Sequence, residues 1–299
     1  MVVQRKDSTS AMASKSTVPP KPNAQSSTKT NLLALEGLRS LNKFFLYTSI
    51  AILIGILVSL ISVGMLSVTA SVLNNPLAAT QSAGYSILGL AAILFIAMIA
   101  LLVFGIYAVL SLMLGIRDIR RSSLASAPVY ASISKWLKYL VIIYVILSAI
   151  YLILVMVNFL TSISLSLTSS NANPTSAYSG IGGIITVFGV IFIILELLFV
   201  WKLSSMYKSL APDIGQPGLN AASRLLAVGI VIYIIGGVIG LVGGVSTLSS
   251  LNAASELLSG AGTAMMWSIV AIIVDLVALI VLFISQWIGY KSTKSALRN

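Results

Sequence analysis

Residues 44–116 read FFLYTSIAILIGILVSLISVGMLSVTASVLNNPLAATQSAGYSILGLAAILFIAMIALLVFGIYAVLSLMLGI, and none of these 73 residues is charged. As one helix the stretch would be about 110 Å long, whereas the hydrocarbon core of a bilayer is about 30 Å thick. It must therefore cross a membrane twice. The turn-forming residues Asn74, Asn75 and Pro76 mark the break between the two spans.

Two further apolar blocks repeat this arrangement. Residues 139–195 are interrupted by a polar stretch at 166–180, and residues 225–290 are interrupted at 246–262. The sequence thus predicts an all-α, polytopic integral membrane protein whose transmembrane domain occupies 44–290. The six predicted spans are about 44–72, 85–114, 138–161, 181–203, 225–247 and 264–290.

The composition excludes most other classes of protein. The chain is 58% apolar and only 8% charged, with a mean hydropathy of +1.04, whereas ordinary soluble proteins are about 25% charged. It has no Cys and no His, which removes thiol nucleophiles, imidazole bases and the usual zinc, haem and iron–sulfur ligands. No P-loop and no GxGD acid motif occurs either. We expect no enzyme activity, no cofactor and no metal.

The basic residues predict the orientation. All 18 Lys and Arg fall in four segments, 1–43, 117–138, 202–224 and 291–299, which the six spans place on one side of the membrane. By the positive-inside rule both termini are then cytoplasmic, and we expect a multi-pass protein of the plasma membrane. This topology explains the net charge of +11, and the basic residues in turn attract the headgroups of the lipid bilayer. We therefore expect the bilayer, and no nucleic acid, as partner.

The N-terminal region precedes the first span. Residues 1–30 are rich in Ser, Thr, Lys and Pro, which predicts a disordered basic cytoplasmic tail. Residues 31–43 are either an amphipathic segment at the interface or a cytosolic extension of the first span. They carry a leucine at every third position, at Leu32, Leu35, Leu38 and Leu41. A second short basic tail covers 291–299.

The three apolar blocks share one layout. Each follows a cation, Lys43, Lys138 or Arg224, runs outward, makes a loop rich in small polar residues, and returns to a basic end. We therefore predict three tandem helical hairpins of one orientation.

Two acids lie inside predicted spans: Glu196 in IFIILELLFVW and Asp275 in SIVAIIVDLVALIVLF. A charged carboxylate at a helix centre costs about 2.5 to 3.5 kcal/mol on insertion scales. No Lys or Arg lies within a span to pair with either acid, so the neutral form is favoured, and a neutral acid can donate one hydrogen bond. Span three offers polar partners on one helical face, at Tyr144, Ser148, Tyr151 and Asn158.

These candidate intramembrane polar residues have two interpretations. They line a path for a proton, a cation or a small solute, or they form hydrogen bonds between helices that fix packing, each worth about 0.6 to 2 kcal/mol. Span five also carries a helix-packing motif, GxxxGxxxG, formed by Gly236, Gly240 and Gly244. Such a face allows a close helix approach, either within the chain or in a homo-oligomer.

The segment LEGLRSLNKFF at 35–45, the Ile/Leu/Ser-rich spans and the missing Cys and His resemble multi-span membrane proteins of thermoacidophilic archaea, a family with a domain of unknown function. Glu36, Gly37, Leu38 and Arg39 carry the motif-like part of this resemblance. It implies an archaeal membrane protein and no assigned activity. Three hairpins also suggest the mitochondrial carriers, but the Pro-x-Asp/Glu-x-x-Lys/Arg motif of that family is missing, and all eight Pro lie outside the spans.

The sequence predicts a non-catalytic membrane scaffold or accessory subunit, with a homo-oligomer or another membrane protein as partner. The alternative is a small-solute or ion permease, proton-linked through Glu196 and Asp275.

Overall fold

The structure is a computed structural model that describes residues 24–74, 82–122, 124–125, 127–168, 175–250 and 257–298. Side chains are described mainly for residues 31–64, 99–122, 127–144, 190–240 and 266–298. The described part of the chain is helical apart from short turns, and it contains no strand. The six helices are α1 (Ala24–Asn74), α2 (Ser82–Arg120), α3 (Ala127–Thr168), α4 (Thr175–Asp213), α5 (Gly218–Ser250) and α6 (Leu257–Ala296).

Each predicted span falls inside one of these helices. The helices are 33 to 51 residues long, so they extend beyond the thickness of a bilayer, which about 20 helical residues cross. Five described segments are long and apolar enough to cross a membrane, which is typical of a multi-pass membrane protein. They are Asn31–Gly64, Ile99–Arg120, Val190–Asp213, Gly218–Gly240 and Met266–Ala296.

The start of α1 differs from the sequence-based expectation. The helix begins at Ala24, so residues 24–30, which we predicted to be disordered, are helical. No proline follows Pro22 in this region, and a helix already nucleated by the apolar span extends at little cost. Residues 31–43 continue the same helix, and its leucine stripe turns inward: Leu32 is 56% exposed, whereas Leu41 is fully buried. Residues 1–23 lie outside the described residues.

The helices pack in chain order. Each contacts the next, and α6 also packs against α1. Antiparallel packing is visible in the α4–α5 pair, where Ser204 meets Ser223 and Ile193 meets Gly237. The α1–α2, α3–α4, α5–α6 and α1–α6 pairs are antiparallel by the same criterion.

Glycines determine how closely α1 and α2 approach each other. A Cβ atom at Gly37 would lie 2.6 Å from Ile119 Cγ1, and one at Gly115 would lie 3.0 Å from the carbonyl oxygen of Gly37. The two backbones therefore touch at this crossing, as small residues permit. Gly37 belongs to the LEGLR motif, so the structure gives that glycine a packing role.

The α4–α5 connection is a glycine-capped turn. Gly215 has a φ of 64°, the left-handed conformation that glycine adopts without strain. The amide of Gln216 donates to the Ala211 carbonyl at 3.0 Å, and the amide of Gly215 donates to the Pro212 carbonyl at 3.2 Å. This pair of bonds is a Schellman motif, and it ends α4 so that α5 can return alongside it.

The buried core lies at one end of the bundle, which we call the basic end because all the described Lys and Arg residues lie there. Its apolar members come from the first halves of α1, α3 and α5 and the second halves of α2 and α4. Its largest fully buried side chains include Phe45, Leu112, Tyr130 and Tyr207. The antiparallel packing brings these helix ends together.

Candidate functional site

The two intramembrane acids lie on α4 and α6, two helices that both pack against α5. Asp275, on α6, packs directly against Gly236 of α5, and a Cβ atom at Gly236 would collide with the Asp275 carboxyl group. Asp275 is half-buried, and Gly236 is buried. The absence of a side chain at Gly236 is therefore what makes room for the acid.

One of the two carboxyl oxygens of Asp275 lacks a hydrogen-bond partner. Its Oδ1 atom is buried and makes no hydrogen bond within the described part of the chain. Burying a polar atom without a partner costs about 1 to 3 kcal/mol by protein mutational data. Each such atom in a folded protein therefore calls for a physical reason.

Glu196, on α4, lies close enough to Asp275 for the two carboxyl groups to interact electrostatically. It also interacts with Tyr144 of α3. Tyr233 of α5 interacts with all three of these residues. Four consecutive helices thus each contribute one ionisable side chain to a single group, which we call the acid cluster (Tyr144, Glu196, Tyr233 and Asp275).

Tyr233 is the member that the sequence analysis missed. It lies four residues after Gly229 and three before Gly236, so it shares a helical face with the glycines that face α6. A hydroxyl group on the glycine face of an apolar span was the available signal. The glycine spacing indicates helix packing and by itself assigns no role to the tyrosine beside it.

Of the polar stripe predicted on span three, the structure describes one side chain. Tyr144 makes an edge-on contact with Phe192 of α4, with ring centroids 5.3 Å apart and an interplanar angle of 69°. The ring contact holds Tyr144 on the α4 side of α3, where Glu196 lies one turn beyond Phe192. The side chains of Ser148, Tyr151 and Asn158 lie outside the described residues.

The glycine face of α5 packs against α6 of the same chain. A Cβ atom at Gly229 would lie 2.7 Å from Leu282 Cδ2, whereas one at Gly240 would lie 3.7 Å from Ala271 Cβ, an ordinary contact. The approach is therefore tightest from Gly229 to Gly236 and opens at Gly240, which is exposed. Gly244 lies outside the residues with described side chains.

A different kind of polar packing occupies the basic end. The Tyr207 hydroxyl donates to Gln286 Oε1 at 3.0 Å, and the Tyr207 ring packs on Phe45 with centroids 5.0 Å apart. This contact joins α1, α4 and α6 across the bundle. All three side chains are at most 2% exposed, so they close the interior of the described bundle at this end.

Hydroxyl groups complete the bonding there. Ser204 and Ser223 share a hydrogen bond of 2.7 Å between α4 and α5. Ser285 donates to the Ala222 carbonyl at 2.7 Å, and Thr293 donates to Asn42 Oδ1 at 2.9 Å. These four hydroxyl-bearing residues, Ser204, Ser223, Ser285 and Thr293, thus link neighbouring helices.

The chemistry available to the acid cluster is that of carboxyl and phenol groups. It can hold protons, donate hydrogen bonds and attract a cation. The described residues contain no group of three or more His, Cys, Asp or Glu side chains arranged to hold a metal ion.

Comparison with known proteins identifies no matching family model, no similar curated protein and no similar solved structure.

Proposed function

We propose that the chain crosses the plasma membrane six times as three tandem hairpins, with both termini in the cytoplasm. The proposal is supported by one predicted span in each helix, by antiparallel packing, and by Lys and Arg residues that collect at one end. A reporter fused after Asn173 and one at the C-terminus should then lie in opposite compartments. Finding both in the same compartment would contradict the topology.

We further propose that the protein is a small-solute or ion permease whose transport is linked to proton movement through the acid cluster. The observation that supports this most directly is the proximity of Glu196 and Asp275, with a buried Asp275 oxygen that has no partner in the described chain. Intramembrane carboxyl groups are costly, and proton relays in pumps and transporters use them. An acid kept only for packing would be expected to bond on every buried atom.

The basic end has a part in this proposal. Phe45, Tyr207 and Gln286 separate the acid cluster from the cytoplasm, because Glu196 lies eleven residues, or about 16 Å, before Tyr207 of the closed layer on α4. Proton or solute exchange with the cytoplasm then requires this layer to open. The proposed topology would make the described conformation a state closed on the cytoplasmic side.

The test is flux in proteoliposomes that contain the full chain and a trapped pH indicator. A panel of small solutes and monovalent cations is added outside, and proton movement is followed with each. We expect at least one of them to drive a proton flux that is lost in the double variant Glu196→Gln, Asp275→Asn. Glu36→Gln, which changes an exposed acid on α1, is the control and should retain the flux. Unchanged flux in the double variant for every tested solute would rule out the path.

A membrane scaffold or accessory subunit is the second candidate, and an exposed glycine favours it. Gly240 is open to a second helix while Gly236 is occupied within the chain, so Gly240 could join a homo-oligomer or another membrane protein. Gly240→Leu should then abolish crosslinking between copies in the membrane. Because a Cβ atom at Gly240 meets only an ordinary contact, the fold should survive the change. An unaltered oligomer in Gly240→Leu would contradict this role.

A further inference from the structure

The last turns of α6 carry a continuous stack of aromatic rings. The Phe283 and Trp287 ring centroids are 6.0 Å apart with an interplanar angle of 19°, and those of Trp287 and Tyr290 are 5.4 Å apart at 32°. Stacked rings of this kind are rigid and apolar on their faces. The spacing of four and three residues places them on one side of the helix.

Two lysines lie over these rings. The Lys291 ammonium is 5.9 Å from the centre of the Trp287 indole, and the Lys294 ammonium is 5.3 Å from the centre of the Tyr290 ring. Lys294 Nζ also donates to the Tyr290 hydroxyl at 3.2 Å. Cation–π contacts hold both positive charges at the end of the stack. We call Phe283, Trp287, Tyr290, Lys291 and Lys294 the aromatic–lysine ladder.

Trp287, Lys291 and Lys294 face outward from the bundle, whereas Tyr290 lies partly against the core. Trp287 is 38% exposed, and Ile284 beside it is 44% exposed. The opposite side of the same turns is buried against α1, where Thr293 bonds to Asn42. No acid occurs anywhere in 276–299, so this part of α6 does not neutralise the two ammonium groups itself.

We propose that the aromatic–lysine ladder binds the headgroup of an anionic phospholipid, with the lysines at its phosphate and the rings against its glycerol and upper acyl chain. The ladder matches such a lipid at two depths in the bilayer. Basic side chains attract anionic headgroups at the surface, and Trp and Tyr rings favour the boundary between headgroup and hydrocarbon just below it. The proposal needs only that α6 crosses the membrane, so it is independent of transport. Free phosphate carries the same anionic group as the lipid headgroup, but it has no apolar part that could pack against the rings.

Trp267 provides a matched control on the same helix. It lies twenty residues earlier and is 40% exposed, nearly the same as Trp287, yet no Lys or Arg lies within four residues of it. A lipid preference caused by aromatic exposure alone would affect both tryptophans equally. One caused by the ladder would affect Trp287 only.

The experiment measures quenching of tryptophan fluorescence by brominated lipids in vesicles that contain the full chain. One variant retains Trp287 alone and another retains Trp267 alone. The three replacements that leave Trp287 are Trp136→Phe, Trp201→Phe and Trp267→Phe, all at side chains at least 40% exposed, so the core is preserved. Brominated phosphatidylglycerol is compared with brominated phosphatidylcholine at equal mole fractions.

We expect Trp287 to be quenched preferentially by the anionic lipid, with an enrichment of about fivefold for each lysine, the attraction typical of a basic side chain at an anionic surface. Lys291→Gln with Lys294→Gln should remove the preference, and Trp267 should show none. Equal quenching of Trp287 by both lipids, or a preference unchanged in the double lysine variant, would overturn the proposal.

Two further arms complete the test. The same two lysine substitutions are also made in the chain that retains all four tryptophans. There they should reduce quenching by the anionic lipid by the amount that Trp287 contributes. This measurement does not depend on replacing any tryptophan. Inorganic phosphate added at millimolar concentration should not compete with the lipid. Full competition would identify a phosphate site and would contradict a lipid site.

Discussion

The basic-end core and the acid cluster contain buried polar groups of opposite kinds. At the basic end, Tyr207 is bonded to Gln286 and Ser204 is bonded to Ser223. In the acid cluster, Asp275 has a buried oxygen without a partner in the described chain. Both regions lie in one bundle and are held by the same helices.

The difference distinguishes polar groups that stabilise the fold from polar groups that are free to take part in binding or proton transfer. Satisfied bonds between membrane helices are each worth about 0.6 to 2 kcal/mol and fix the packing. A buried carboxyl oxygen without a partner contributes no such bond and costs free energy instead. Stability should therefore depend on the basic end, and proton chemistry on the acid cluster.

The largest effect is expected where the acid cluster touches a backbone. Gly236→Leu places a side chain into the space of the Asp275 carboxyl group, so α5 and α6 must separate. We expect a loss of about 3 kcal/mol, the upper part of the range for overpacking a core. Unfolding by SDS in mixed micelles measures it.

Gly105→Leu is the control for this change, because a Cβ atom at Gly105 meets nothing within 4 Å. It should change stability by less than about 0.5 kcal/mol. Equal effects of the two substitutions would show that the α5–α6 contact is not tight at Asp275.

Tyr207→Phe tests the closed layer at the basic end. The ring contact with Phe45 is retained, but Gln286 loses the hydroxyl that donates to its Oε1 atom. A buried acceptor left without its donor costs about 2 kcal/mol. Tyr139→Phe, at a side chain that is 55% exposed, should be nearly neutral in the same SDS titration. A neutral Tyr207→Phe would mean that this bond does not stabilise the bundle.

The serine pair between α4 and α5 permits a double-mutant cycle. Ser204→Ala and Ser223→Ala should show a coupling of about 1 kcal/mol, because each hydroxyl bonds to the other residue. Ser209 donates to a carbonyl of its own helix, so Ser209→Ala combined with Ser223→Ala should show no coupling. Coupling of similar size in both cycles would indicate a general loosening of α4.

The helices were largely predictable, because residues 44–116 and the two later blocks are too long and too apolar for any alternative. The predicted breaks also lie around the observed helix ends, such as Asn74 and Ser250. The start of α1 at Ala24 was not predictable from composition, since polar residues that cannot bury surface can still extend an existing helix.

The site was predictable only in part. Glu196 and Asp275 were identified because an acid in an apolar span is conspicuous, but their proximity depends on how α4 and α6 rotate about their axes. Tyr233 was missed because hydropathy treats a tyrosine as unremarkable in a span. The interhelical pairing of Tyr207 with Gln286 joins residues 79 positions apart, and no local pattern encodes such a pair.

The smallest expected effect on stability is also the most informative about the comparison. Asp275→Asn keeps the shape of the side chain beside Gly236, removes its ability to ionise and replaces one carboxyl oxygen by an amide NH2 group. Because the buried Oδ1 atom has no hydrogen bond to lose in the described chain, the free energy of unfolding should change by less than about 0.5 kcal/mol, as for substitutions that disturb no contact. A loss above about 1 kcal/mol would mean that Asp275 holds the bundle together as Tyr207 does. The two regions would then be alike, and the acid would be structural. Measuring Asp275→Asn beside Tyr207→Phe in one SDS titration decides between these roles, because the permease proposal requires a small effect at Asp275, whereas a structural acid would show a large one, as we expect for Tyr207.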